Sequence, residues 1–217
     1  MKKVVLTSGG LDSSTLLYYL VKKNPQDVCA LFFDYGQKSA KQERIAVKVI
    51  AKKCGVELKE ICLRSVFRFS KSPLLRHQNV PIVTVNRLGN KTWYESKRTE
   101  VEFRNGVMMA AALSVSMQVW EKQSLTLYYG AIKTREFFPD CSNNFVQEFD
   151  KMAQLCSSGK IHISAPFLEK GKDEVYKLAK ELNVPIEQTW SCYDLGDVPC
   201  GKCPACLDRK ILEGLNC

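Results

Sequence analysis

No apolar run in this chain approaches the roughly 20 residues needed to cross a bilayer. Met1-Lys2-Lys3 leads straight into a short strand instead of a secretion signal. These two absences point away from membranes and the secretory route, and the expected compartment is the cytoplasm. Internal repeats and low-complexity segments are missing too. So are two familiar nucleotide-binding strings: neither G-x-x-x-x-G-K-[ST] nor G-x-G-x-x-G occurs. Acidic charge is in short supply, 23 Asp and Glu against 32 Lys and Arg, which leaves a net +9 at pH 7. The surplus is local. Between residues 64 and 99 lie Arg64, Arg68, Lys71, Arg76, Arg87, Lys91, Lys97 and Arg98, opposed only by Glu95, so this stretch holds +7 of the total. A concentrated basic block serves anionic substrates, nucleic acid or an acidic partner.

What is present is patterned. With 217 residues, 45% of them hydrophobic, the chain can bury a proper core in one α/β domain with a small C-terminal appendage. Strand and helix signals alternate. Strands are expected at Val4–Thr7, Val28–Asp34, Val56–Leu63, Leu125–Gly130 and Ile161–Pro166. A helix starts near Asp12, with Leu16, Leu17, Leu20 and Val21 at helical spacing. Others are expected at Lys41–Cys54, Asn144–Leu155 and Lys172–Leu182. In Lys41–Cys54 the apolar face is read as Ile45, Ala46, Val49 and Ile50. Val107–Trp120 is apolar all round and is read as a buried helix. Residues 64–99, with Pro73, Pro81 and Gly89, read as an irregular insertion. This alternation predicts a doubly wound, mostly parallel sheet with helices on both faces, whose ligands bind beyond the carboxyl ends of the strands. The expected division is 1–185 for that domain and 186–217 for the tail.

The ten cysteines divide into two groups. Cys29, Cys54, Cys62, Cys141 and Cys156 are scattered, and Cys217 is incidental. Cys192, Cys200, Cys203 and Cys206 crowd the last 26 residues with the spacing C-x7-C-x2-C-x2-C. Two-residue gaps let successive thiolates converge on one ion, and Gly201, Pro204 and Ala205 suit tight knuckles. Four thiolates close a tetrahedral shell, which suits one structural Zn²⁺ with no open position. An Fe–S cluster is the other Cys₄ option.

The string Thr7-Ser8-Gly9-Gly10-Leu11-Asp12-Ser13-Ser14 joins the first strand to the first helix. Its glycines allow a tight turn, and a helix start rich in amides and hydroxyls attracts anions. Phe33-Asp34-Tyr35-Gly36-Gln37, after the second strand, falls at the same end of the sheet. The S-G-G-x-D-S-S string resembles the PP-loop of the ATP pyrophosphatases, which split ATP between its α and β phosphates. Gly171-Lys172-Asp173-Glu174-Val175 resembles that superfamily's downstream K-x-E-V helix. The resemblance implies that Ser8, Gly9, Gly10, Asp12, Ser13 and Ser14 cradle the phosphates, flanked by Thr7 and Leu11. It also implies that Asp12 helps hold Mg²⁺. Lys172 at its helix start can reach a phosphate, and Tyr35, Gly36 and Gln37 complete the ATP site.

Taken with Arg104-Asn105, Pro139-Asp140-Cys141 and the cysteine tail, the chain resembles the 7-cyano-7-deazaguanine synthase family of the queuosine pathway. The family implies a homodimer that activates 7-carboxy-7-deazaguanine with ATP and carries it, with ammonia, through an amide to the nitrile. Arg104 and Lys172 would bring the anions together, while Asp140 would bind the base edge or accept a proton; Asp140 can equally cap the helix that follows it. Three departures fall near the expected deazaguanine pocket: Glu102 in place of a proline, Ser142 in place of an arginine, and Lys133-Thr134-Arg135-Glu136-Phe137-Phe138 in place of an acidic, glycine-bearing stretch. They leave two other readings open. One is a defence-associated relative that passes the activated deazaguanine to a protein amine. The other is a tRNA-modifying PP-loop enzyme, or a plain RNA-binding module, using Phe67, Phe69, Trp93 and Tyr94 among the basic residues. No recognisable RNA-binding motif is present, and those aromatics are expected to pack the insertion onto the domain.

Overall fold

A computed structural model describes residues 1–22, 24–78, 99–121, 123–133 and 138–214. Five strands form the sheet: β1 (Lys2–Leu6), β2 (Val28–Asp34), β3 (Glu57–Cys62), β4 (Leu125–Tyr129) and β5 (Ile161–Ser164). Their order is β3-β2-β1-β4-β5 and every pairing is parallel. The chain runs outward from β1 through β2 to β3, then returns to the other side of β1 with β4. The switch point lies between β1 and β4, where a doubly wound sheet opens a crevice at its carboxyl edge.

Helices α1 (Leu11–Val21), α2 (Ala40–Cys54), α3 (Arg104–Val119), α4 (Asn143–Cys156), α5 (Lys172–Glu181) and α6 (Pro204–Leu212) complete the fold. Strand alternation sends successive side chains to opposite faces. Val5, Val28 and Ala30 pack with Leu16, Leu17, Ile50 and Val175, so α1, α2 and α5 cover one face. Val4, Leu31, Leu125 and Leu127 pack with Met109, Leu113, Phe149 and Ala153, so α3 and α4 cover the other. No helix among the described residues is long and apolar enough to cross a membrane.

Two helical faces differ from expectation. In α2 the buried residues are Ala40, Ala46, Val47, Ile50, Ala51 and Cys54, while Ile45 is 51% exposed. Arg44, on the polar side, makes ion pairs with Asp34 and Glu60. Helix α3 is buried along one side only, at Gly106, Met109, Ala112, Leu113 and Ser116, and Met117 and Val119 face outward. Val107 and Met108 pack against the cluster of Phe67, Leu75 and Val101, and among the described residues the apolar composition of the helix exceeds its burial. α6 follows the last knuckle, with Pro204 at its first turn, where a missing N–H costs nothing.

The described part of the basic stretch is a packed wall rather than a loose insertion. Phe67, Leu74 and Leu75 are buried with Tyr35 and Val101. Lys38 N–H donates to the Leu74 carbonyl at 2.8 Å, and Arg76 N–H donates to Gly36 at 2.9 Å. Phe69 is exposed, with the Arg68 guanidinium 4.5 Å from its ring centroid. Residues 79–98, carrying Arg87, Lys91, Trp93, Tyr94, Glu95, Lys97 and Arg98, lie outside the described residues, as do 134–137 and Cys217.

Candidate active site

The opening turn sits over the carboxyl end of β1. Thr7 prolongs the ladder, its amide donating to the Leu31 carbonyl at 2.8 Å and its hydroxyl to the same oxygen at 3.2 Å. Gly9 has φ +75, and a Cβ there would lie 2.7 Å from the Glu43 carbonyl oxygen and 2.9 Å from Val47 N. Only glycine lets the loop lie this close to α2. Ser13 Oγ is the hub of the turn. It accepts from Ser8 N–H at 3.1 Å, lies 3.1 Å from Ser8 Oγ and donates to the Gly10 carbonyl at 3.2 Å. Gly10 caps α1 without a side-chain hydrogen bond, so the first amides of the helix keep their capacity for an anion.

Two polar atoms in this turn are buried without partners among the described residues: Asp12 Oδ1 and Ser14 Oγ. Leaving such atoms unpaired costs about 1–3 kcal/mol each, which a bound ligand recovers. The other carboxylate oxygen of Asp12 takes Lys172 Nζ at 2.5 Å. The lysine at the start of α5 is therefore held against the opening turn, 160 residues away in sequence. An unpaired carboxylate oxygen suits a hard cation such as Mg²⁺, and an unpaired hydroxyl beside free amides suits phosphate.

The neighbouring loop after β2 is densely hydrogen-bonded. Asp34 accepts from Arg64 at 2.6 Å and Arg44 at 2.7 Å, and the Arg64 hydrogen bond leads in holding its carboxyl well below the usual range. Gln37 is 1% exposed. Its amide accepts from Tyr35 N–H at 2.9 Å and donates to the Phe33 carbonyl at 3.1 Å and to Glu43 at 2.8 Å. Gln37 thus shapes the loop from inside. Glu43, absent from the sequence-level candidates, also accepts from Ser39 Oγ at 2.6 Å, and burial pushes its pKa up. It reads in sequence as one more charge on a solvated helix face, and only the fold shows it wedged between the two loops.

Across the switch point stands a second cluster. Arg104 opens α3 and donates to Tyr35 Oη at 3.3 Å. Asp140 accepts from Asn105 N–H at 3.1 Å, so it caps α3 rather than the helix that follows it. Ser142 takes the latter task, accepting from Phe145 N–H at 3.2 Å at the start of α4. Asn105 Nδ2 also reaches Cys141 Sγ at 3.2 Å, and burial pushes the Cys141 thiol up to about 11. Glu102, another of the departures, accepts from Ser70 Oγ at 2.5 Å and ties the 64–78 wall to the approach of α3. Both substitutions therefore have local structural uses.

The four tail cysteines converge. Sγ atoms of Cys192, Cys200, Cys203 and Cys206 all lie within 4.8 Å of one another, and those of Cys200 and Cys206 are 4.0 Å apart. Tetrahedral zinc with bonds of about 2.3 Å needs sulfurs about 3.8 Å apart, so the set fits with slight contraction. Backbone N–H groups of Cys200 and Asp194 point at Cys192 Sγ, 3.3 and 3.4 Å away, and Cys203 N–H points at Cys200 Sγ, 3.4 Å away. The tail also touches the opening turn directly: Trp190 N–H donates to the Gly9 carbonyl at 2.9 Å. A small cleft runs between them, lined by Leu11, Lys172, Tyr176, Tyr193, Asp208 and Arg209 among others.

A parallel sheet whose first strand gives way to this Ser-Gly-Gly-Leu-Asp-Ser-Ser turn, with a lysine returned to it from α5, defines a PP-loop domain of the ATP-pyrophosphatase type. In keeping with that class, an NH3-dependent NAD synthetase from Campylobacter jejuni shares the fold, with a TM-score of 0.50 over 86% of this chain and 67% of its own, at 20% identity. The family model described as Queuosine biosynthesis protein QueC matches residues 2–215, and the chain belongs to that family. A 7-cyano-7-deazaguanine synthase from Campylobacter hominis is 33% identical across 100% of this chain and 95% of its own length. One from Archaeoglobus fulgidus is 35% identical across 96% and 84%.

Proposed function

We propose that this protein is an ATP-dependent ligase that converts 7-carboxy-7-deazaguanine, with ammonia, first to the amide and then to the nitrile. What carries this reading is the family match along nearly the whole chain, joined to a turn whose unpaired atoms suit Mg·ATP. A carboxylate is a poor acceptor until one of its oxygens becomes a leaving group. Its oxygen attacks the α-phosphorus of ATP, the bond to the bridging oxygen breaks, and pyrophosphate departs. Ammonia then attacks the acyl carbon, AMP leaves with that oxygen, and loss of a proton gives the amide. A second ATP activates the amide oxygen in the same way, and loss of AMP and two protons from nitrogen gives the nitrile.

The residues divide this work. Thr7, Ser8, Gly9, Gly10, Leu11, Ser13 and Ser14 hold the departing pyrophosphate, and Asp12 and Lys172 flank it. When bound, Mg²⁺ neutralises charge developing on the leaving group. Tyr35 and Gly36 bound the nucleotide on the β2 side, over a loop shaped by Gln37. Arg104 faces the acid, and Asp140 sits at the base edge. Cys192, Cys200, Cys203 and Cys206 hold one structural Zn²⁺ in the tail, 186–217, beside the catalytic domain, 1–185. The protein works in the cytoplasm as a homodimer.

The described basic residues favour this reading over nucleic-acid binding, because Arg64 is paired with Asp34 and Arg76 Nε donates to the Gln37 carbonyl at 3.1 Å. Incubation with the acid, Mg·ATP and ammonia, followed by mass spectrometry, tests the reading. Amide and then nitrile should accumulate, with AMP released at each step. ADP release, or no change in the acid, overturns it. A deazaguanine mass added to a protein in place of free nitrile would instead mark transfer to a protein amine.

A further inference from the structure

Tyr129 ends β4 at the switch point and reads in sequence as one more core residue. It is 5% exposed, and its hydroxyl is buried with no hydrogen-bond partner among the described residues. A phenylalanine would fill the same apolar space without stranding an oxygen, so packing alone gives no reason for the hydroxyl. The position is central: Tyr129 pairs with Leu6, the last residue of β1, and its neighbour Gly130 lies against the opening turn. A Cβ on Gly130 would come within 3.3 Å of Ser13 N and Cα.

Alternation decides which ligand the hydroxyl meets. Tyr129 shares a face with Leu125 and Leu127, against α3 and α4, whereas α1 and its phosphate-facing turn cover the opposite face. The ring therefore belongs with Asp140 and Cys141, which Asn105 at the start of α3 also meets, on the side proposed for the acid rather than the nucleotide. Burial, with Cys141 and Asp140 close by, raises its pKa and keeps it a phenol. A phenol in those surroundings has a proton to give. The Cys141 sulfur beside it is a weak acceptor that already takes Asn105 Nδ2.

Building on the function proposed above, we infer that the Tyr129 hydroxyl is a specificity contact, donating a hydrogen bond to an oxygen of the deazaguanine acid. A site built to donate discriminates strongly, because a ligand lacking the acceptor leaves the donor stranded. The test is Tyr129→Phe, an isosteric change that removes only the oxygen. Calorimetry would follow 7-carboxy-7-deazaguanine binding in the presence of Mg²⁺ and α,β-methylene-ATP, with binding of that analogue alone and the melting temperature measured alongside. The acid should bind about 10–100-fold more weakly to the variant, with the analogue within twofold and the melting temperature unchanged or higher. Acid affinity within threefold of the original overturns the contact. So does a loss shared with the analogue or with the melting temperature, which would make the hydroxyl structural. If the unaltered protein binds the analogue but not the acid, the substrate reading falls and the contact falls with it; if it binds the acid and the variant binds it equally, only the contact falls.

Discussion

The two sides of the switch point are built in opposite ways. On the β1 side the atoms proposed to face phosphate come from one unbroken string, Thr7 to Ser14, closed on itself through Ser13 Oγ and met by Lys172 and Trp190 from far along the chain. On the β4 side the polar cluster is gathered from Arg104 and Asn105 at the start of α3, Tyr129 at the end of β4 and Asp140 before α4, and Tyr35 reaches it from the loop after β2. A contiguous turn carries its geometry with it wherever the strand and helix go. A gathered pocket depends on every loop between its members, and so it can be altered without disturbing the phosphate end. The departures at Glu102 and Ser142 fall on the gathered side, while the turn keeps its pattern.

The sharpest way to break this contrast is Asp12→Ala. The change removes both the unpaired oxygen and the anchor of Lys172, and AMP release should fall by at least about 10²–10³-fold with any acid offered. Circular dichroism should show the fold retained. Measurable AMP formation at the original rate would mean that the turn does not grip the nucleotide. Next in size is Cys203→Ser, which opens the four-sulfur shell. Metal content by mass spectrometry should drop, and thermal melting should fall by several degrees, because metal-binding energy is also folding energy. Since Trp190 N–H holds the Gly9 carbonyl, affinity for Mg·ATP should weaken as well, by about tenfold. A metal-replete, normally stable variant would separate the tail from the turn.

The smallest effect concerns pH. Paired first with Arg64 and then with Arg44, Asp34 has a folded-state pKa below its unfolded value near 3.8. Its stabilisation is therefore complete above about pH 4–5 and drains away as the solution is acidified further. Arg64 is half-exposed and water screens that partner, so about 1–2 kcal/mol is at stake. Denaturant melts of Asp34→Asn should show lower stability at neutral pH and a flatter decline between about pH 5 and 3. Parallel curves for both proteins would assign the acid sensitivity elsewhere.

What could be read from the chain in advance follows the same division. All five strands are where period and β-branched content place them, within one or two residues; four are short, largely buried runs between turn signals, and the edge strand β3 alternates between half-buried and exposed residues. The turn was legible because its residues are adjacent, and the cysteine shell because its spacing alone forces convergence. Helix α3 begins at Arg104, three residues before its apolar pattern does, since Asp140 supplies the cap from far down the chain. Its burial was overstated because composition records what a side chain is and not whether another layer covers it. Glu43 and Tyr129 gave no signal. One resembles a solvated helix charge and the other a core aromatic, and their unusual surroundings exist only once distant segments meet.

The bond from Trp190 to Gly9 ties the segment just before the knuckles to the backbone of the opening turn. Anything that unseats the knuckles therefore also loosens the Gly9 carbonyl. Two pieces of chain far apart in sequence are mechanically one part.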